Sequence, residues 1–480
     1  MSDTAATAVF DARRAEDRAP AAAWATFDRA GVRTTGSYGT VDGAAPGPDT
    51  AWRIASCTKS FTATAVLALR DAGALGLDQP VTDLFPAVAD VVLPTADSPV
   101  PTVRMLLTMS AGLPTDDPWG DRQESITDDE LDGLLRRGLS FDSVPGTAFA
   151  YSNLGYALLG RVVAAAAGRP YRDVVERTVL APLGLTATAF TADVRAPGGV
   201  AVGHRRHGDD WEPLPFSGPG GFSPIGGLFS TVTDLTRWAR WLGSAFDPEG
   251  LGDVDGVLSR ASRREMQQGH RVVPGRGAHP AAYGFGLFVE QHPRSGPIVS
   301  HSGGYPGFSA HMRWQQSSGL GVVGFENATY AQVSVPVSAA LEGLLAAEGA
   351  DLALVAPWPA TRAASAAVEA VVRGGDVPAG LLSENVELDV PLDRRRTAWA
   401  AAVAEVGGLR PATTTGPESV ADPTAPARPV DPATGEESSA PSHLVRRLPA
   451  EHGALRLEVR LTPELPPRVQ TVTVRAERED

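Results

Sequence analysis

The rhythm of apolar and polar positions changes several times along the chain, and each change predicts an element. Residues 21–27, 32–38 and 51–54 carry short extended patterns, broken by Asp28-Arg29-Ala30-Gly31 and by a Gly/Pro-rich stretch at 43–48. They read as a hairpin followed by a strand that leads to Ser56. After Ser56 the pattern turns helical, with Phe61, Ala65, Leu67 and Leu69 offering apolar faces until Gly73 supplies a stop. From 82 to 220 helical patterns at 103–109, 128–137, 154–167 and 171–179 alternate with loops and predict a helical lobe. Strand patterns return at 283–290, 298–301, 309–315 and 320–326, and 333–348 reads as a closing helix.

Beyond that helix the character changes. Residues 411–442 are rich in Pro, Thr, Ser, Ala and Glu without periodicity, as a flexible excursion would be. Residues 454–461 and 468–477 alternate as a hairpin around Thr462-Pro463-Glu464-Leu465-Pro466-Pro467, and 397–406 reads as a helix. The expected organisation is a catalytic unit at 1–350 and a small α+β accessory domain at 351–480, interrupted by the flexible segment. No internal repeat is visible.

Composition narrows the function classes. The 480 residues are 43% hydrophobic, which suffices for a large core, and the net charge is −14. An acidic chain whose densest basic runs are His204-Arg205-Arg206-His207 and Arg394-Arg395-Arg396 argues against a nucleic-acid or anionic-membrane surface. One cysteine excludes an intramolecular disulfide. The first 25 residues lack the apolar core of a secretory signal, and no stretch approaches the ~20 apolar residues of a membrane span. A cytoplasmic location is the expectation.

Candidate chemistry starts from a single residue. Of the 42 Lys and Arg side chains only Lys59 is lysine, and it stands three positions after Ser56 in Arg53-Ile54-Ala55-Ser56-Cys57-Thr58-Lys59. An arginine cannot surrender its proton in a protein, whereas a desolvated lysine can become a neutral base. On a helix that starts near Ser56, position i+3 lies on the same face, within reach of the hydroxyl.

Two more motifs follow in order: Tyr151-Ser152-Asn153, then His301-Ser302-Gly303-Gly304. With Ser56-x-x-Lys59 they resemble the three motifs of the serine β-lactamase and penicillin-binding hydrolase superfamily, in the branch of class C β-lactamases, D-alanyl-D-alanine carboxypeptidases, D-aminopeptidases and family VIII carboxylesterases. The resemblance spans about residues 15–350 and includes Leu106-Leu107-Thr108-Met109-Ser110-Ala111-Gly112-Leu113, Pro182-Leu183-Gly184-Leu185-Thr186 and Gly226-Gly227-Leu228-Phe229-Ser230-Thr231. It implies an α+β, β-lactamase/transpeptidase-like fold with an antiparallel sheet flanked by helices.

The resemblance also implies roles. Ser56 would be the acylated nucleophile and Lys59 its proton acceptor. Tyr151 would carry a proton to the leaving group, with Lys59 as the cation that favours its anion. Asn153 would hold Lys59 or the substrate carbonyl, and the backbone N–H groups of Ser56 and Gly304 would meet the oxyanion. Gly303 and Gly304 suit a backbone that must approach a ligand closely. Where most β-lactamases of the superfamily have lysine, this chain has His301, followed by Ser302; the permanent charge that would grip a substrate carboxylate is weakened.

The remaining features carry less. No Gly-x-Ser-x-Gly occurs, which argues against an α/β-hydrolase elbow. His204, His207, Asp209 and Asp210 read as a polar loop and not as metal ligands. Cys57 reads as a small buried filler, and Asn327-Ala328-Thr329 as a glycosylation pattern with no meaning in an unsecreted chain. Trp119, Phe222 and Tyr305 are expected near the cleft. The function expected is a cofactor-free, metal-free serine hydrolase acting through an acyl-enzyme on small esters or D-amino-acid amides and peptides, with the ester reading slightly ahead. Its alternatives are β-lactamase or D-alanyl-D-alanine carboxypeptidase activity, or a non-turning-over penicillin-binding sensor or scaffold. A homo-oligomer through the C-terminal domain is the one protein partnership expected.

Overall fold

An eight-stranded antiparallel sheet carries the first part of the chain in the computed structural model, which describes residues 2–86, 91–247, 257–275, 279–350, 355–411, 431 and 434–478. Its strands are β1 (Ala22–Phe27), β2 (Val32–Tyr38), β7 (Arg271–Val272), β8 (Ala281–Tyr283), β9 (Phe288–His292), β10 (Gly296–Tyr305), β11 (Phe308–Gln315) and β12 (Gly321–Glu326), in the order β2-β1-β12-β11-β10-β9-β8-β7. Two short pairs lie outside it: β3 (Ala51–Arg53) with β6 (Phe229–Thr231), and β4 (His204–His207) with β5 (Asp210–Pro213). Helices of nine residues or more in this part are α1 (Ser2–Ala15), α2 (Thr58–Asp71), α3 (Asp128–Arg136), α4 (Asn153–Ala167), α5 (Val232–Gly243) and α6 (Ser334–Ala347).

Both β1 and β12 are buried at every position, so they read as near-continuous apolar runs. Their alternate side chains feed two cores. Trp24 and Val322 join Phe10 of α1 and Val337 and Leu341 of α6 on one face. Ala23, Ala25, Val323 and Phe325 join α2 and α5 on the other. The second core centres on α2, whose first ten residues are all buried; Phe61 stacks on Trp238 at 3.8 Å, and the Trp238 indole donates to Ser60 Oγ at 3.0 Å. Truncating such a ring to alanine costs about 3–5 kcal/mol. At the end of α2, Gly73 adopts φ 74° and Ala74 N returns to Leu69 O, which closes the helix where a glycine was expected to.

The structure departs from the sequence reading in several places. Helix α1 was not foreseen, because its anchors are tertiary: Phe10 stacks on Trp24 at 4.8 Å, and Arg13 forms a buried fork with Glu326 at 2.8 and 3.0 Å. The expected strand at 283–290 is two strands, parted by a turn in which Gly286 (φ 70°) packs against the Lys59 carbonyl; a Cβ there would lie 2.6 Å from that oxygen. The helical lobe is interrupted by the β4–β5 hairpin, so His204, His207, Asp209 and Asp210 belong to a hairpin and not to a loop. Among the described residues no three His, Cys, Asp or Glu side chains converge as metal ligands, and no helix is long and apolar enough to cross a membrane.

Contacts divide the chain into Met1–Asp351 and Leu352–Asp480. The second unit has its own antiparallel sheet, β13 (His443–Ala450), β14 (Gly453–Leu461) and β15 (Val469–Glu477), with helices α7 (Pro359–Val372) and α8 (Leu392–Glu405). Its core gathers Val368, Val371, Trp399, Leu444, Leu455, Leu457 and Val469. The predicted hairpin is present as β14–β15, with β13 as a third strand. Of the segment expected to be flexible, 412–430 and 432–433 lie outside the described residues. Its last part is folded: the Trp358 N–H and Thr361 hydroxyl donate to Pro441 O, and Glu437 bridges to Val445.

Candidate active site

Strand β3 delivers the nucleophile through a forced turn. Ile54 N donates to Leu228 O, Cys57 N returns to Ile54 O, and Ala55 between them is held at φ 46°. A non-glycine residue persists there only where its surroundings fix it. The fixing comes partly from β10, where a Cβ on Gly303 would lie 2.3 Å from Ile54 O. Gly303 is therefore glycine because of the Ser56 turn. Gly304 is glycine because of the Tyr330 ring, whose atoms a Cβ would meet at 2.9 Å. For both, packing within the protein already calls for glycine, and Gly304 also lines the cavity beside Ser56. Residues 55–57 form a 3-10 turn and α2 begins at Thr58, so the i,i+3 pair straddles the junction.

That junction places Lys59 Nζ 2.9 Å from Ser56 Oγ. The amine is wholly buried and also donates to Asn153 Oδ1 at 2.7 Å and to Ile225 O at 3.0 Å. Burial pushes it down to about 8, while the carboxylates of Asp117, Asp121 and Asp116 hold it up. Asn153 is oriented in turn, its Nδ2 donating to Asp117 Oδ1 at 2.9 Å. Asn153 opens α4, where Ser152 Oγ accepts from Gly155 N, and Asp116 accepts from Asn153 N at 2.6 Å and Leu154 N at 2.9 Å. The middle serine of this motif is thus a helix cap.

Tyr151, just before that cap, has its hydroxyl hydrogen-bonded to Ser56 and its ring face 5.0 Å from Lys59 Nζ. Its pKa lies well above the ordinary phenol value, because burial comes first and the charge of Asp117 adds to it. The expectation that Lys59 favours the Tyr151 anion is overturned; the resting group is a neutral phenol. His301 is 1% exposed, and its Nδ1 lies 2.6 Å from Ser302 O. A carbonyl only accepts, so Nδ1 carries a proton, and Nε2 faces the Tyr283 hydroxyl at 3.2 Å. Ser302 Oγ pairs with His311 Nδ1 across the β10–β11 register at 2.8 Å. Cys57 is fully buried, its thiol pushed up to about 12 by burial and donating to His301 O at 3.3 Å, as a filler would be.

Ser56, Tyr151, His301, Ser302 and Gly304 line one cavity of about 320 Å³; Lys59, Asn153 and Gly303 stand behind it. The other lining residues are Asp117, Asp121, Phe149, Phe288 and Tyr330. Sequence reasoning assigned no role to the carboxylates of Asp117 and Asp121. It missed the aromatic residues, which have no signal in spacing. Trp119, Phe222 and Tyr305 do not line this cavity. Phe222 is buried under the edge of Trp119, and Tyr305 lies beneath the Arg53 guanidinium at 4.0 Å. Arg53 itself is buried against Glu124 at 3.4 Å, and Glu124 accepts from Ser223 Oγ at 2.8 Å, which secures the segment that presents Ile225 O. The Asn327 amide is equally structural: Oδ1 accepts from Ala21 N at 2.7 Å and Nδ2 donates to Val202 O at 2.9 Å.

A sheet flanked by helices, with a serine and a buried lysine at the start of its central helix, defines the class: a serine hydrolase with the β-lactamase/transpeptidase-like fold. The chain belongs to the β-lactamase family, whose model matches residues 6–347. Among curated relatives, penicillin-binding protein 4* of Bacillus subtilis (strain 168) is 28% identical over 280 residues, which cover 54% of this chain and 57% of that protein. The match thus spans little more than half of that relative's length. Penicillin-binding protein 4 of Amycolatopsis lactamdurans is 32% identical over 269 residues, covering 54% of this chain and 68% of the relative. Among solved structures, the octameric penicillin-binding protein homologue from Pyrococcus abyssi aligns over 96% of this chain and 97% of its own with a TM-score of 0.61, and at 20% identity that likeness concerns the fold.

Proposed function

We propose that this chain hydrolyses small esters or D-amino-acid amides and peptides through an acyl-enzyme at Ser56, with Lys59 as the base. The observation that carries this reading is the three-way contact of the Lys59 amine. A neutral amine has two N–H donors and one lone pair. The Asn153 and Ile225 oxygens can only accept and take both donors, which leaves the lone pair for the Ser56 hydroxyl at 2.9 Å. With its pKa brought down to about 8, a useful fraction of the amine is neutral near pH 7.

In the proposed cycle Ser56 Oγ attacks the acyl carbon while its proton passes to Lys59. The carbonyl oxygen becomes an oxyanion against the backbone N–H groups of Ser56 and Gly304. Collapse expels the leaving group, which takes a proton from the neutral Tyr151 phenol, and Lys59 restores that proton. Water then cleaves the ester at Ser56, giving its proton back through the same groups. No cofactor or metal is required by any step.

That no lysine or arginine lines the cavity among the described residues supports an ester or amino-acid amide over a substrate gripped by its carboxylate, since His301 turns both nitrogens to Ser302 O and Tyr283. The test is intact-protein mass spectrometry during incubation with a p-nitrophenyl ester, a D-alanyl p-nitroanilide and a chromogenic cephalosporin, with product release followed in parallel. A transient adduct that Ser56→Ala abolishes is expected. A permanent adduct would instead make the protein an acylated sensor, and turnover surviving in Ser56→Ala would end the proposal. For Leu352–Asp480 we propose a role in self-assembly, a reading supported by the octameric state of the Pyrococcus abyssi protein.

A further inference from the structure

We infer that the Ser56 cleft selects substrates that carry an ammonium group beside the scissile carbonyl, as aminoacyl amides and esters do, and that Asp121 reads this charge. The inference rests on the serine-hydrolase reading and names the substrate class within it. Among the described residues, the cavity lining contains two carboxylates, Asp117 and Asp121, and no lysine or arginine. The sole lysine, Lys59, stands behind Ser56 with its amine committed to three oxygens. Arg122, next in sequence, donates to Pro118 O and bonds the Tyr330 side chain; its charge and that of Lys59 reach Asp121 through space, but neither residue lines the cavity.

Asp121 is the more telling of the pair. It is only 4% exposed, yet just one of its oxygens is engaged: Oδ2 accepts the Tyr330 hydroxyl at 2.9 Å, and among the described residues no donor meets Oδ1. A mostly buried carboxylate with an oxygen left for the cavity suits a cationic donor. Burial raises it to about 6, so it is ionised near pH 7, where an α-amino group of pKa ~8 is mostly protonated.

The rest of the wall agrees. Phe149, Tyr151, Phe288 and Tyr330 line it with aromatic rings, which attract cations. Tyr330 is held at φ 50°, and its ring abuts Gly304 while its hydroxyl reaches Asp121. That strained link keeps the carboxylate beside the strand that flanks Ser56. An α-ammonium is two bonds from the carbonyl under attack, so a cavity of about 320 Å³ holds both ends of such a substrate.

The experiment compares kcat/KM for alanine p-nitroanilide and its N-acetyl form, both enantiomers, near pH 7, in wild type and in Asp121→Asn. The expected wild-type preference for the free amine is about tenfold or more, falling to within about threefold of unity in Asp121→Asn. A wild-type ratio at or below one overturns the inference without any variant, and so does a preference that survives in Asp121→Asn. Preference for acetylthiocholine over a neutral thioester, with none for the free-amine anilide, would put the cation on the leaving group and overturn the placement. p-Nitrophenyl acetate separates the two levels: its turnover through Ser56 with no charge preference sinks this inference alone, and failure to acylate Ser56 at all sinks the hydrolase reading with it.

Discussion

Asp117→Asn should make the enzyme faster at neutral pH, and the reason can be worked from distances. Asp117 is the carboxylate that most strongly holds the Lys59 pKa up against burial, ahead of Asp121, Asp116 and Cys57. It reaches the amine only through the Asn153 amide, by contacts of 2.9 and 2.7 Å. The two charges therefore stand roughly 7 Å apart, and at an effective dielectric of ~20 they interact by ~2.4 kcal/mol, or ~1.7 pK units. Because Asp117 is exposed to solvent, screening trims this to about one unit. The variant should move Lys59 from about 8 toward ~7, while an asparagine oxygen still accepts from Asn153 Nδ2.

The sign follows from the base's role. Below its pKa the amine is protonated and cannot accept the Ser56 proton, so kcat/KM falls about tenfold per pH unit on the acid side. At pH 7 about one-tenth of wild-type amines are neutral, against about half in the variant, a gain of about fivefold that vanishes near pH 9. p-Nitrophenyl acetate, which has no titrating group, reports the limb, and Asp121 at about 6 is distant enough not to imitate it. Lys59→Arg should give a flat profile about a thousandfold lower, since a guanidinium cannot act as base. A limb that stays put or moves up in Asp117→Asn would refute the electrostatic account, and wild-type activity in Lys59→Arg would refute the base itself.

Three further outcomes are expected. Gly303→Ala forces a methyl to 2.3 Å from Ile54 O and 3.0 Å from Ala55 Cβ, both on the backbone turn that aims Ser56; a loss of about 1–3 kcal/mol in denaturant titration, with kcat down roughly a hundredfold, should follow. Unchanged kcat would show that Gly303 does not set the turn. Glu124→Ala leaves Arg53 buried without its partner and should cost about 3–5 kcal/mol by urea unfolding; a cost below about 1 kcal/mol would mean the pair is better solvated than its burial indicates. Deleting Leu352–Asp480 should preserve ester turnover and reduce the mass seen by light scattering, whereas a folded but inactive remnant would place part of the catalytic function in that unit.

Much of the fold was legible because its signals are local. The β1–β2 hairpin, the strands β10 to β12, the Gly73 stop after α2 and the β14–β15 hairpin all announce themselves by alternation or turn residues. What was missed has weak local signals: α1 is alanine-rich and is fixed by Phe10 and Arg13 across the molecule, and β13 is recognisable only beside β14. Of the site, the three motifs were legible because each sits on an element that can be read, a strand-to-helix turn, a helix cap and the strand β10.

The sequence by itself determined the reacting groups: a serine with the chain's sole lysine three residues on, a tyrosine ahead of a capped helix, and a His-Ser-Gly-Gly strand. Only the tertiary structure decided their protonation and the character of the cleft. Burial lowers Lys59 to about 8 and keeps Tyr151 neutral, and these shifts depend on desolvation and on carboxylates brought in from residues 116–121. Likewise His301 became an internally bonded ring, because Tyr283 and the Ser302 carbonyl take its nitrogens. Residue type and order are properties of the chain. Dielectric and through-space charge arise only once distant segments pack, which is why pKa and specificity could not be read in advance.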